Sequence, residues 1–176
     1  MSLPRIRFAL FVTICVLSPI GCERDSRNAD LAVKEMVASF ESAKLETEAD
    51  VERVVTNAAT SERAIMFVNV DWAIMEPQRT RFAQFAINYH RNNPDDSVLF
   101  HYVDCTPVTN GYAPLRSLAG WRELQEAAGT ALIHGWGELV WMHNGRVLHV
   151  ERILNFKTTE DLIEKTNSLM PQANRG

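Results

Sequence analysis

Apolar residues follow two spacings along the chain, and each spacing predicts a different element. Residues 64–70, AIMFVNV, are an apolar run with β-branched members, which is typical of a strand buried on both faces. Residues 97–104, SVLFHYVD, predict a second strand. Residues 76–92 between them have helical spacing, with Pro77 in the first turn, where its missing N–H is harmless. A helix that connects two such strands implies a parallel pair with a right-handed crossover.

The second half of the chain carries a hairpin pattern. ELVWMH and RVLHVER flank Asn144-Gly145, and this dipeptide between two apolar-rich runs predicts a tight β-hairpin. Thr158 caps a last helical pattern, and further helices are predicted over residues 30–44, 47–59 and 118–128. Residues 105–117 read as a loop. The order of these elements predicts an α/β fold, in which a mixed central sheet has helices on both faces.

The N-terminus has a different character. A basic start precedes an apolar run over residues 8–20 that is short for a membrane span, which predicts a secretory signal peptide. The run ends at Gly-Cys and resembles the bacterial lipoprotein signal, in which the cysteine, here Cys22, becomes the lipidated first residue. Pro19 stands where that family has leucine. A signal peptide without lipidation and an uncleaved anchor are therefore the alternatives.

These patterns divide the chain into four segments. We expect a signal peptide over residues 1–21, a polar tether over 22–30, an N-terminal helical extension over 31–46 and a single globular domain over 47–176. The protein is then exported and anchored to the cell membrane, facing the periplasm or the exterior, with membrane lipid touching only the tether. The net charge of −4 argues against nucleic acid as a partner, because nucleic-acid binders carry a basic excess.

Three stretches resemble the thioredoxin-like superfamily, over about residues 50–170. Residues 64–82, AIMFVNVDWAIMEPQRTRF, resemble its strand, tryptophan, active-site turn and first long helix. SVLFHYVDC resembles the strand that follows, and residues 134–169 resemble the turn, hairpin and last helix of the family. The resemblance implies a thioredoxin-like fold.

The resemblance also implies where a redox site would lie, and there the residues differ. If Pro77 matches the proline of the family's Cys-Gly-Pro-Cys motif, Met75 and Gln78 occupy the cysteine positions. Matching Trp72 to the family tryptophan instead shortens the turn and also leaves no thiol. The family's cis-proline corresponds to Gly137, whose peptide bond we expect to be trans, since a non-proline cis bond costs about 2.5–4 kcal/mol. Thiol exchange needs a thiolate, so dithiol chemistry is not expected.

Cys105 is the thiol that remains, because Cys15 lies in the signal peptide and Cys22 is predicted to be acylated. It follows Asp104, whose charge would raise the thiol pKa, whereas reactive thiols lie in electropositive surroundings. A partly buried, unreactive Cys105 is the favoured interpretation. The alternatives are a thiol–disulfide oxidoreductase that uses this single thiol and, without lipidation, a disulfide from Cys105 to Cys22.

A binding rim is predicted at residues 71–78, 105–114 and 134–138, which the resemblance places at one edge of the sheet. Its candidate residues are Asp71, Trp72, Glu76, Pro77, His134, Trp136 and Gly137. The expected function is binding or scaffolding of an unknown protein or peptide at the cell envelope, and catalysis is not expected; a purely structural role is a further alternative. We expect no cofactor and no metal, because the histidines at 101, 143 and 149 lack the compact spacing of a zinc site.

Overall fold

The computed structural model describes residues 22–42, 45–70 and 75–171. The predicted signal peptide, 1–21, and the rim residues Asp71 and Trp72 lie outside these ranges. Among the described residues, no helix combines the length and apolar character that crossing a membrane requires. The elements are α1 (Cys22–Ser42), α2 (Glu48–Ala59), β1 (Arg63–Asn69), α3 (Glu76–Asn92), β2 (Leu99–Asp104), α4 (Ala113–Arg116), α5 (Trp121–Ala128), β3 (Glu138–His143), β4 (Arg146–Arg152), a 3₁₀ helix (Ile153–Asn155) and α6 (Thr159–Leu169).

The strands of the described residues form one mixed sheet in the order β2-β1-β3-β4. β1 and β2 are parallel, with Asn69 beside Asp104 at their carboxyl ends. β3 runs antiparallel to β1, and β4 runs antiparallel to β3. Every residue of β1 is buried, because the strand lies in the middle of the sheet with helices on both faces. The predicted parallel pair, hairpin and mixed sheet are confirmed.

Alternate side chains of β1 enter two separate apolar layers. Met66 and Val68 pack with α2, α4 and α5 on one face of the sheet. Ile65 and Phe67 pack with α1, α3 and α6 on the other face. The predicted inward side of α3 is buried in this second layer, at Phe82, Phe85, Ala86 and Tyr89. Because α3 follows the carboxyl end of β1 and β3 runs antiparallel to β1, the start of α3 and the start of β3 lie at the same end of the sheet.

Local chemistry sets the ends of several elements, as predicted. The hydroxyl of Thr47 accepts the N–H of Asp50 and caps α2. Thr158 caps α6 in a reciprocal capping box with Asp161. Asn144 and Gly145 have φ of 48° and 74°, which suits a tight turn with both central residues in the left-handed region.

Two segments differ from the prediction. α1 begins at Cys22, so a helical backbone runs through residues 22–30, the predicted tether. This segment lacks proline and glycine, the residues that disfavour a helix. Because the later, packed turns of α1 nucleate the helix, it propagates through these polar residues although they form no apolar stripe. The loop predicted over residues 105–117 contains the short helix α4, whose first turn holds Pro114, where its fixed φ suits a helix.

Candidate functional site

The first turn of α3 lies against the turn that precedes β3. Met75 is the N-cap of α3, and Pro77 lies in its first turn. A methyl group at Gly137 would lie 3.0 Å from Cβ and Cγ of Gln78 and 3.1 Å from Cε of Met75. Met75 and Gln78, the residues at the cysteine positions if Pro77 matches the motif proline, therefore adjoin Gly137. The Gly137 peptide bond is trans, as predicted.

Gly137 suits this position for two independent reasons. Its φ of +79° lies in the left-handed region, which disfavours residues that carry a Cβ. The close approach of Gln78 and Met75 leaves little room for such a Cβ. The carbonyl oxygen of Gly137 also accepts the N–H of Ile153 at 2.9 Å, so the turn is tied to the segment that follows β4.

The carboxylate of Glu138 holds the turn that carries Trp136. Glu138 is 1% exposed and accepts the backbone N–H of His134 at 3.0 Å and that of Trp136 at 3.1 Å. Nε of Arg152 lies 3.9 Å from Oε1 of Glu138, and the Arg152 guanidinium lies 6.0 Å from the centre of the Trp136 ring. Buried carboxylates need such partners. The backbone of residues 134–136 is therefore fixed by a side chain from the sheet.

Glu138 was not among the candidate residues of the predicted rim. In the run ELVWMH it reads as the polar start of an apolar strand, which is common at a strand end. The feature of the sequence that could have revealed this residue is a carboxylate directly after Gly137, at the position where strand β3 enters the buried middle of the sheet. A charged residue there must find partners, and the preceding turn supplies its amides.

The rim residues that the structure describes differ in exposure. Trp136 is 55% exposed, whereas Gly137 is buried. Glu76, Pro77 and His134 are exposed. Leu154, which was not among the predicted rim residues, is also exposed, at 52%.

A cleft separates α3 from the start of α6, and we call it the α3–α6 cleft. It has a volume of about 540 Å³. One wall includes Glu76, Pro77 and Arg81, and the other includes Leu154, Lys157 and Thr158. Glu76 and Pro77 of the predicted rim thus also line the α3–α6 cleft, which is shallow and open.

Two buried side-chain oxygens at this end of the sheet have no hydrogen-bond partner among the described residues. They are Oδ1 of Asn69, at the end of β1, and Oε1 of Gln78, in the first turn of α3. Both residues are almost completely buried. An unpaired buried acceptor costs about 1–3 kcal/mol, and such groups are usually satisfied by water or by a ligand. The end of β1 and the first turn of α3 therefore have unused hydrogen-bonding capacity.

Cys105 lies beside this site but inside the protein. It is 2% exposed, it is not in a disulfide, and its N–H donates to the carbonyl of Asn69 at 2.9 Å. Burial raises the pKa of the thiol to about 12, and the charge of Asp104 adds to the effect, in the predicted direction. Cys105 thus has neither the exposure nor the thiolate character that the oxidoreductase alternative requires.

The loop over residues 105–114 meets the same region from the other face of the sheet. Burial raises the pKa of the Tyr112 hydroxyl, and the nearby Cys105 and Glu138 raise it further. N–H and Oγ1 of Thr109 both donate to Glu48 at 2.6 Å, which ties the loop to the start of α2 and lowers the pKa of that carboxyl. These bonds hold this part of the rim against α2.

The histidines of the hairpin do not face each other. His143 lies opposite Arg146, and His149 lies opposite Trp141. In the part of the chain that the structure describes, no three His, Cys, Asp or Glu side chains are grouped so that they could hold a metal ion.

The sheet order β2-β1-β3-β4, with a parallel β1-α3-β2 unit, an antiparallel hairpin and a closing helix, decides the fold class. The fold is thioredoxin-like. Similar solved structures are human ERp44 in its zinc-bound form, with 15% identity and a TM-score of 0.45, and a mutant thioredoxin from Halobacterium salinarum NRC-1, with 12% identity and a TM-score of 0.37. The first match covers 70% of this chain and 30% of the ERp44 chain, and the second covers 73% and 90%. No protein-family model matches the sequence, and no curated protein matches it.

Proposed function

We propose that this chain is an exported, membrane-anchored thioredoxin-like domain that binds a protein or peptide at the cell envelope and performs no dithiol exchange. The observation that carries the proposal is Trp136, 55% exposed on a turn that the buried Glu138 holds in place. Tryptophan offers a large apolar surface with a polar N–H, and it is enriched among the residues that dominate protein interfaces. A rigid backbone reduces the entropy lost when such a residue binds.

The residues at the motif position support binding over exchange. Met75 and Gln78 provide no thiol, and Cys105 is buried with a raised pKa. The unpaired oxygens of Gln78 and Asn69 offer acceptors at the place where the redox motif would lie. What remains is a turn, a helix start and an exposed aromatic ring, which together suit recognition of a partner.

The N-terminal sequence supports export and anchoring. A basic start, a short apolar run and the Gly21-Cys22 junction follow the pattern of a lipoprotein signal. The test is metabolic labelling with a palmitate analogue in a bacterial host. We expect Cys22→Ser to lose the label and to leave the membrane fraction, and Cys105→Ser to keep both properties. Label retained in Cys22→Ser would contradict the anchor.

Site-specific crosslinking tests the binding function. A photoreactive benzoyl-phenylalanine at position 136 of the full chain is expected to crosslink one discrete partner in the native envelope. The matched control places the same group at Leu99, an apolar residue that is also exposed, at 45%, but lies at the start of β2. The same products from both positions, or none from position 136, would contradict the proposal.

A further inference from the structure

Resting on the proposed function, we propose that the partner segment is an extended peptide in which carboxylates accompany apolar side chains. It lies along the rim from Trp136, past Leu154, into the α3–α6 cleft. The inference rests on which side chains the structure leaves exposed there and on the charges beside them.

The apolar part of the surface comes from two backbone segments that are hydrogen-bonded together. Trp136 precedes Gly137, and Leu154 follows Ile153, while N–H of Ile153 donates to the carbonyl of Gly137 at 2.9 Å. Trp136 is 55% exposed and Leu154 is 52% exposed. Two large apolar side chains are thus exposed on segments that a backbone hydrogen bond joins, and exposed apolar surface marks interaction sites.

The polar part of the surface is cationic. Lys157 and Arg81 line the cleft beyond Leu154, whereas Arg152, near the Trp136 ring, already lies 3.9 Å from Oε1 of Glu138. Arg81 is held in place by donating to the carbonyl of Phe156. The cleft lining includes one carboxylate, Glu76, and the Asp161 carboxylate beside it accepts the N–H groups of Lys157 and Thr158. The guanidinium and ammonium groups of the lining complement carboxylates of a partner.

The cleft is better suited to carboxylate side chains of a peptide than to a small phosphate bound at the start of α6. The side chain of Asp161 already accepts the N–H groups of Lys157 at 3.0 Å and Thr158 at 2.9 Å, and the hydroxyl of Thr158 accepts the N–H of Asp161 at 3.1 Å. These bonds use three of the amides around the start of α6 and place the Asp161 carboxylate there, which disfavours a further anion at this helix N-terminus. The Arg81 and Lys157 side chains remain as cations on opposite walls of the cleft, which suits separate carboxylates.

The test is a selection from a random dodecapeptide phage library on the full chain in detergent micelles, with depletion on its Trp136→Ser variant. We expect the retained peptides to be enriched in Asp and Glu over Lys and Arg, next to aromatic or aliphatic residues. For a retained peptide, Lys157→Glu is expected to weaken binding by about tenfold, or about 1.4 kcal/mol. Lys34→Glu makes the same charge change at an exposed position on α1 and is expected to leave the affinity unchanged.

The outcomes separate this inference from the proposed function. Peptides that require Trp136 but lack acidic residues, or that bind Lys157→Glu as well as the native chain, would overturn the inference and leave the binding function standing. If depletion on Trp136→Ser leaves no peptide that binds the native chain, both fail. The native chain could instead bind phosphatidylglycerol vesicles more tightly than every retained peptide and lose this binding in Lys157→Glu. That result would assign the cations of the α3–α6 cleft to the membrane and would also overturn the inference.

Discussion

At the scale of single residues, burial determines what Cys105 contributes. Its pKa is raised to about 12 in the folded protein by burial and by Asp104, whereas an unfolded cysteine titrates at about 8.5. The folded state therefore holds the thiol proton more tightly than the unfolded state does. The stability that follows is fully present below about pH 8.5 and is lost as the pH rises toward 12.

This difference in pKa between the folded and unfolded states predicts that Cys105 makes the free energy of unfolding depend on pH. Between pH 8 and pH 10, the free energy of unfolding of the native chain is expected to fall more steeply than that of Cys105→Ala, because only the native chain gains the thiolate on unfolding. Urea unfolding at several pH values measures both slopes. Equal slopes would show that the thiol is not protected by the fold.

Glu138 is predicted to stabilise the rim through its charge as well as its shape. Glu138→Gln keeps the side-chain volume but sets an NH₂ group among backbone donors, so we expect a loss of about 1–3 kcal/mol in the free energy of unfolding. Urea unfolding measures the loss, and a shift of the Trp136 indole N–H signal in NMR spectra reports the turn. The control Glu164→Gln, exposed on α6, is expected to change stability by less than about 0.5 kcal/mol. Similar losses in both variants would remove the assigned role.

At the scale of elements, the β3–β4 turn requires glycine both for its backbone conformation and for lack of space. A comparison of Gly145 with Gly129 separates these two reasons. Gly145 has a φ of +74°, and a methyl group there would lie 2.7 Å from the carbonyl oxygen of Ala59. Gly129, at the end of α5, has a φ of +65°, but no described atom lies within 4 Å of such a methyl group. Backbone conformation disfavours a side chain at both positions, whereas steric contact disfavours one only at Gly145.

Alanine substitutions at these glycines are therefore expected to differ. Gly129→Ala should cost about 1–2 kcal/mol from the left-handed backbone alone. Gly145→Ala should cost more than that, because the turn must also move away from Ala59. Thermal unfolding of the two variants measures the difference. If Gly145→Ala were as stable as Gly129→Ala, the contact with Ala59 would be unimportant.

At the scale of the whole molecule, a buried polar network joins distant parts of the second layer. Arg63, 5% exposed at the start of β1, pairs with Asp96 and donates to the carbonyl of Met170 after α6. The hydroxyl of Tyr89 in α3 donates to Asp96 at 2.6 Å. Burial, and then this hydrogen bond, raise the pKa of Tyr89. One guanidinium thus connects the start of β1 to the segments that follow α3 and α6.

Breaking this network is expected to be among the most damaging single changes. Arg63→Met removes the Arg63 guanidinium from its pair with the buried Asp96 carboxylate, which should cost about 3–5 kcal/mol. The control Arg53→Met removes a cation from the more exposed pair with Asp50, for which the expected loss is at most about 1 kcal/mol. Urea unfolding compares the two. Losses of similar size would show that the buried pair is not a structural connection.

The sequence alone determined the features that depend on neighbouring residues. The apolar run at 64–70, the Asn144-Gly145 turn and the Thr47 and Thr158 caps predicted their elements, because periodicity and capping act over a few positions. The order of elements then predicted the mixed sheet. The absence of thiols at Met75 and Gln78 was also visible, since it requires only their identity.

Only the tertiary structure decided how the site is built. Three features depend on segments that are distant in sequence. They are the burial of Glu138, the exposure of Trp136 and Leu154 on hydrogen-bonded segments, and the contact of Gly137 with Gln78. Apolar character did not distinguish the exposed Trp136 from the buried Trp141, because a side chain's exposure is set by what packs against it. Polar character likewise did not show that Glu138 is buried, since the amides that satisfy it belong to a turn whose path the sheet determines.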